Sequence, residues 1–576
     1  MTLKKVFKII GTAIGCVALC FIVILCIAVY NVISGNYVSL EYELTEEDYS
    51  AFEEAASDFE AAVISGEGEL ALAAKSSEFV TAYLWIDTQY SIAYLDYCRN
   101  MTDEGALSNY KFAFETRNNA SNLYSETLKN VLLSDSEYAK VLFEGWSEEE
   151  KDMLLNNNDK IYELMNANEA LLLEYRALDP GDEGFESAVD EIYLEVVANY
   201  NAVAKEYGYS NYYDYATVIE NRRDYTAEDR ALFRQYVKGY IVPLYEELYA
   251  RYADLYESAD ESTLRGFAAL SRDNYGDNAE VRGYISDYVD DVFSSGDGDA
   301  ESVGKNMKRL FKKDRAIFAN NEEALDAAYT VYLSYYDEPI VYFGPGYHDM
   351  LTVIHESGHY AAFSEYGATN TPLDLCEVQS QTNEWMFISY LEEKVDPAVY
   401  ELLLLSRLAR GFEEIILATA VDECEEQIYS AEALTAESYA KIISDTVKTY
   451  GEELSEELRI AFYFRYVAVD NPVYYISYAT SELASVSHYI KAETDPNGAR
   501  DAYVKLIKTV DFVGFKEGLS RCGFLDPFSE DTFKSLVDTF SKDEKTESGE
   551  GGVVWLSFDR PAFSEYVGDA ELPLAS

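Results

Sequence analysis

The sequence predicts a mainly α-helical chain with one small β-sheet, and three observations carry that prediction. From Thr45 to about Leu178 apolar residues recur at spacings of three and four with few glycines or prolines, the pattern of amphipathic helices. Ala327 to Phe343, AAYTVYLSYYDEPIVYF, is a dense run of β-branched and aromatic residues interrupted by Asp337-Glu338-Pro339, and it reads as a hairpin. Directly behind it, Tyr347 to Ser364, YHDMLTVIHESGHYAAFS, sets His355, Glu356 and His359 on a single helix.

Composition narrows the possibilities further. A chain of 576 residues with 48% apolar and 14% aromatic content has ample material for a core. Its 45 basic residues stand against 105 acidic ones, a net charge of −60, and such a surface repels phosphates, so nucleic-acid binding is excluded. Lys4, Lys5 and Lys8 precede a stretch without charge that lasts until Glu41, and Ile9 to Val29 is long enough to cross a bilayer as a helix. No small-x-small cleavage site follows. The expectation is a cytoplasmic segment 1–8 and a transmembrane signal anchor over 9–31. By the positive-inside rule this places the chain after about Val38 outside the cell, a single-pass protein of the cell membrane. A cleaved signal peptide and a lipid-modified Cys16 are the alternatives. Cys16, Cys20 and Cys26 lie in that span, while Cys98, Cys376, Cys424 and Cys522 show no paired metal spacing and are expected as buried thiols.

Along the chain, Asp48 to Ile64, Glu78 to Cys98 and Leu107 to Leu133 read as amphipathic helices of an α-bundle. The breaks at Leu178 to Gly184 and Ser294 to Gly304 are loops. Tyr193 to Phe233 reads as a helix, a stop at Gly208, a tyrosine-rich turn and a second helix capped near Thr226. Within it, Gly208-Tyr209-Ser210-Asn211-Tyr212 and Asp224-Tyr225-Thr226 resemble the oligoendopeptidase F and thimet oligopeptidase family of zinc metallopeptidases. The resemblance runs from roughly Tyr193 to Phe540, closing with Gly514 to Phe528.

The chemistry is carried by the histidine helix. Residues four apart share a helix face, so His355 and His359 can point ring nitrogens at one zinc ion, with Glu356 one step round as general base toward water. A catalytic zinc takes a third protein ligand, and the following helix, Pro372 to Glu393, offers Asp374, Glu377 and Glu384. The family pattern Glu-x-x-Ser-x-x-x-Glu is matched by Glu377, Ser380 and Glu384, with Asn383 between them. The resemblance therefore implies Glu377 as the ligand and Ser380 and Glu384 as orienting groups, with Glu384 the alternative ligand. Peptide hydrolysis develops an oxyanion, which a tyrosine hydroxyl can stabilise. In Pro472 to Ser485, PVYYISYATSELAS, the run Tyr478-Ala479-Thr480 matches the tyrosine segment of the family, with Tyr475 or Tyr474 as a second donor. The histidine that the family places just before is missing from Phe464 to Asp470, where Tyr466 can stand in; His348 and His488 read as structural or surface residues. The family loop before the zinc helix is reduced to Ala327-Ala328-Tyr329, and the sheet edge beside it suits extended peptides.

Taken together, the resemblance implies a two-lobed helical gluzincin metallopeptidase with its small β-sheet beside the zinc-binding helix. An N-terminal helical lobe over 40–310, a zinc peptidase part over 311–542 and a tail over 543–576 are expected. One Zn²⁺ per chain on His355, His359 and Glu377, with Glu356, Tyr478 and Tyr475 as catalytic groups, would hydrolyse internal bonds of short peptides outside the cell. A non-catalytic surface binding protein that keeps the fold is the alternative from another class, though it has no use for the general base. A dipeptidase-type gluzincin is the third, and it requires a cationic group that the sequence does not single out.

Overall fold

The computed structural model describes residues 38–134, 136–176, 178, 184–271, 275, 279–294, 298–312, 315–367, 371–451, 454, 472–509 and 514–541. The expected segments 1–8 and 9–31, the stretch from Phe464 to Asp470 with Tyr466, and the tail 543–576 lie outside the described residues. Among the described residues no helix is long and apolar enough to cross a membrane. The chain divides into two compact units, Met1–Leu164 with Tyr332–Glu338, and Met165–Val331 with Pro339–Ser576. The lobe boundary expected at 310/311 falls inside the second.

In the first unit, helices α1 (Glu46–Ser65), α2 (Glu69–Arg99) and α3 (Glu104–Leu133) form a bundle. Thr45 N–H donates to Asp48 Oδ2 at 2.8 Å at the start of α1, and Gly66, at φ 70°, ends it in the left-handed conformation a glycine adopts freely. Asp103 caps α3 by accepting from Gly105 and Ala106 N–H. The apolar stripes meet in a stack of rings, with Phe79 5.5 Å from Phe52, 5.2 Å from Phe59 and 4.8 Å from Tyr124. Helix α2 begins nine residues before the expected start at Glu78, because Leu72 already packs in this core.

In the second unit, α4 (Phe185–Glu206), α5 (Ala227–Tyr236), α6 (Gly298–Lys312), α7 (Met350–Tyr366), α8 (Leu373–Leu391), α9 (Pro397–Ser430) and α10 (Ile476–Thr494) include the elements that build the site. The Thr226 cap forms as expected, with Asp229 N–H donating to its hydroxyl at 3.1 Å. The hairpin strands are β2 (Ala328–Leu333) and β3 (Glu338–Phe343), and a short strand β1 (Ala316–Phe318) lies parallel to β3 with Ala316 opposite Val341. The sheet order is β1-β3-β2. Val353, Ile354, Tyr360, Ala361 and Ala362 of α7 share one core with Phe387, Ile388 and Leu391 of α8 and Val303, Met307 and Leu310 of α6. A Cβ at Gly358 would lie 2.7 Å from the Gln379 carbonyl oxygen and 2.9 Å from Ser380 Cα, so a glycine is what lets α7 and α8 touch backbone to backbone. Cys98, Cys376, Cys424 and Cys522 are free thiols, all but the half-buried Cys376 buried.

Candidate metal centre and active site

Helix α7 is set by its N-terminus. Asp349 accepts from Leu351 N–H at 2.9 Å and Thr352 N–H at 3.1 Å, capping the helix just outside its first turn. One turn further in, His355 and His359 bring their Nε2 atoms to 3.2 Å. Glu377 of α8 places Oε2 3.6 Å from His355 Nε2 and 3.7 Å from His359 Nε2. Ligand atoms at about 2.0–2.1 Å from a tetrahedral zinc stand roughly 3.3–3.4 Å from one another. The three atoms form a triangle close to that size, and two imidazoles with one carboxylate are a donor set zinc accepts, so these residues fit the ion. Glu384 meets His355 from the other side, with Oε1 2.7 Å from Nδ1. Of the carboxylates offered by α8, Glu377 thus faces both ring nitrogens, Glu384 faces the back of one ring, and Asp374 is committed elsewhere.

Asp374 is fully buried and fully bonded. Arg223 Nε lies 2.9 Å from its Oδ1, and the hydroxyls of Ser477, Tyr225 and Thr480 donate to it at 2.7, 3.0 and 2.9 Å. This joins the start of α8, the segment before α5 and the start of α10. The Asp224-Tyr225-Thr226 run thereby gains a physical reason: Tyr225 reaches Asp374, Thr226 caps α5, and Asp224 accepts from the Lys516 and Glu517 N–H groups at 2.7 and 3.1 Å.

Glu356 is buried beside the triangle, and the Thr330 hydroxyl of β2 donates to its Oε2 at 2.6 Å. A carboxylate oxygen of Glu356 also lies within 4.8 Å of a ring nitrogen of each histidine. Two carboxylates therefore approach the pair, and Thr330 distinguishes them: Glu356 has one oxygen bonded to the sheet, whereas Glu377 turns an oxygen toward both rings. Burial pushes Glu356 up to about 7, against the opposing pull of His355 and Thr330. Burial and the His355 charge hold His359 well below the ordinary imidazole range. At His355 burial works downward, but the Glu384 bond and the surrounding carboxylates overcome it and raise the ring to about 9.

Behind Glu384 runs a buried chain of charge. Arg407 of α9 has Nε 3.1 Å from Glu384 Oε2 and donates twice to Glu482 of α10, at 2.7 and 2.8 Å. Trp385 Nε1 donates to the same Glu482 at 3.1 Å, and the Arg407 guanidinium lies 4.6 Å from the Trp385 ring. Glu384 would rise on burial, but the Arg407 charge and His355 hold it below its ordinary value. Asn383, on the other side of α8, donates to the Ile354 carbonyl at 2.7 Å and to Ser357 Oγ at 3.0 Å, pinning α7 to α8.

The tyrosine segment opens α10. The Tyr474 hydroxyl donates to Glu377 Oε1 at 2.6 Å, and Ser380 Oγ donates to Glu377 Oε2 at 3.3 Å. Tyr478 is half-buried, its ring centroid 5.4 Å from that of Tyr474. Burial and the charge of Glu377 hold the Tyr478 hydroxyl well above the ordinary phenol range, so it keeps its proton to donate. Tyr475 packs edge-on against Tyr478 at 5.4 Å. The structure thus gathers His355, Glu356, His359, Glu377, Tyr474 and Tyr478, and brings Tyr475 against the Tyr478 ring. His348 and His488 are buried and bond the carbonyls of Phe343 and Ala499 through Nε2, at 3.2 and 2.9 Å. Sequence reasoning missed Thr330, Arg407, Glu482 and the bond from Tyr474 to Glu377; none carries a local signal.

No protein-family model and no curated protein matches this chain. Solved structures do match. A protein designated oligoendopeptidase F, from crystals grown by microfluidic seeding, superposes with a TM-score of 0.68 at 17% identity, covering 87% of this chain and 96% of its own. PZ peptidase A with an inhibitor gives 0.67 at 17% identity over 87% and 97%. A Bacillus anthracis protein designated oligoendopeptidase F gives 0.65 at 17% identity over 87% and 96%. The mainly α fold with its small sheet is the fold of these peptidases.

Proposed function

We propose that this chain, built on the oligoendopeptidase F fold, is a zinc metallopeptidase that hydrolyses internal bonds of short peptides. The observation that carries the reading is the triangle of His355 Nε2, His359 Nε2 and Glu377 Oε2, with edges of 3.2, 3.6 and 3.7 Å and the Thr330-anchored Glu356 beside it. His355, His359 and Glu377 hold one zinc ion per chain. Bound zinc supplies Lewis-acid polarisation of the scissile carbonyl and lowers the pKa of water. Glu384 accepts the proton on His355 Nδ1, so that Nε2 is the nitrogen left to give up its proton in favour of the ion. Glu356 takes the proton from the attacking water and passes it to the leaving amine. Tyr478 donates to the oxyanion as it forms, and Tyr475 packs behind that ring.

The membrane-anchored, outward-facing placement rests on the sequence: the Lys4, Lys5 and Lys8 cluster before the uncharged run from Ile9 to Val29. Protease added to intact cells then digests the peptidase part, and a peptidase part wholly protected inside would overturn the placement.

The activity is tested by zinc content together with hydrolysis of a quenched fluorescent peptide. Wild type should bind one zinc and cleave, and Glu356→Gln should bind zinc yet lose nearly all cleavage. A zinc-loaded wild type that cleaves no peptide would instead support a binding protein that retains the fold.

A further inference from the structure

Val473 stands just ahead of Tyr474 with φ at +64°, in the left-handed region where a β-branched residue is a true outlier. Such a conformation persists only where the surroundings impose it, and here both flanking peptide groups are held. Val473 N–H donates to Glu425 Oε1 of α9 at 2.8 Å. Its carbonyl accepts from Arg223 Nη1 at 2.6 Å and Asn221 Nδ2 at 3.3 Å, and Arg223 Nη2 donates to the next carbonyl, Tyr474, at 3.2 Å. All of these groups are buried, Arg223 is itself paired with Asp374, and none touches the metal triangle. What the turn delivers is the Tyr474 hydroxyl, 2.6 Å from Glu377 Oε1.

We propose that Glu425, Arg223 and Asn221 form a clamp that forces Val473 into its left-handed turn and thereby makes Tyr474 a positioning residue for the metal ligand Glu377. The proposal rests on Glu377 being a ligand. With Oε1 accepting from Tyr474, it is Oε2, which also accepts from Ser380, that faces the histidines, so the clamp fixes the direction of the carboxylate. Positioning partners of this kind typically change metal affinity by about 10–100-fold. Burial pushes Glu425 up to about 8, the Val473 N–H bond pulling the other way.

The test is zinc affinity, measured by competition with a chromophoric chelator, alongside melting temperature. Glu425→Gln keeps the acceptor and should bind zinc within about threefold of wild type. Glu425→Leu should bind about 10–100-fold more weakly. Adding Val473→Gly to Glu425→Leu should restore most of the loss, because a glycine enters the left-handed turn without the steric cost that the clamp has to overcome. A folded Glu425→Leu protein with wild-type zinc affinity would overturn the clamp, and so would a loss that Val473→Gly does not repair. If Glu425→Leu does not fold, Asn221→Ser removes only the longest of the bonds to Val473 and should show a severalfold loss, again repaired by Val473→Gly; no loss there overturns the clamp. Glu377→Ala separates the two levels: if it binds zinc like wild type, the ligand set is wrong, whereas if it loses zinc and the Glu425 and Asn221 variants do not, only the clamp fails.

Discussion

Glu384 Oε1 and His355 Nδ1 stand 2.7 Å apart, on the side of the ring away from His359, so the same carboxylate that fixes the ring is excluded from the triangle. A group behind a ligand tunes the metal, and a group in the triangle holds it.

The first prediction follows from that division. Glu377→Ala should strip zinc, whereas Glu384→Gln should retain it with affinity lowered by about 10–100-fold. Metal analysis after dialysis against a weak chelator distinguishes them. Retention by Glu377→Ala with loss by Glu384→Gln would reverse the assignment.

Thr330 offers a second handle, since its hydroxyl is a direct partner of the Glu356 carboxylate. Thr330→Val keeps the shape of the β2 strand and removes the donor, which frees the base to turn and leaves a buried oxygen unbonded. The expected result is a fall in kcat of roughly 10-fold, about 1.4 kcal/mol, with zinc content unchanged. A Thr330→Val protein with wild-type kcat would show that the bond does nothing for catalysis.

Tyr474 and Tyr478 should separate cleanly. Tyr478→Phe, by removing the hydroxyl proposed to meet the oxyanion as it forms, should lower kcat by roughly 10²–10³-fold with KM and zinc affinity nearly unchanged. Tyr474→Phe should instead weaken zinc binding, because its hydroxyl bonds Glu377. Equal behaviour of the two variants in a zinc titration would contradict the roles assigned.

His488 gives the dependence on pH. It stacks on Phe524 at 4.2 Å, and burial holds it down at about 4, partly offset by its bond to the Ala499 carbonyl. An unfolded imidazole takes up a proton near 6.5 that the folded one refuses until about 4, so stability is full above 6.5 and falls as the pH drops through that window. By pH 4.5 the cost is about 2–3 kcal/mol. His488→Gln, measured without zinc, should therefore lose less melting temperature than wild type between pH 7 and 4.5. A parallel decline in both proteins would show that His488 stays exposed to protons in the folded chain.

How much of this was legible beforehand depends on how far apart the partners lie. His355, Glu356 and His359 share a turn, so helical spacing alone brings them together, and Glu377 and Glu384 are readable as one face of the next helix. Thr330 looks like any strand residue until β2 is laid against α7. Arg407 and Glu482 look like solvated helix charges, because nothing local tells a buried ion pair from an exposed one. Tyr474 and Tyr475 could not be ranked, since which of them reaches the carboxylate is decided by a single backbone angle at Val473. Strand β1 spans only Ala316–Phe318, too short for a periodic pattern to register.

The glycine contact at Gly358 has a thermal consequence. With no side chain between them at this point, α7 and α8 are in direct backbone contact, so the spacing between the histidines and Glu377 is tied to the packing of the helix pair. Warming then has no gradual way to widen the triangle. An ion held there as proposed should be released only when the helix pair itself separates, so that loss of metal and melting of the surrounding core coincide.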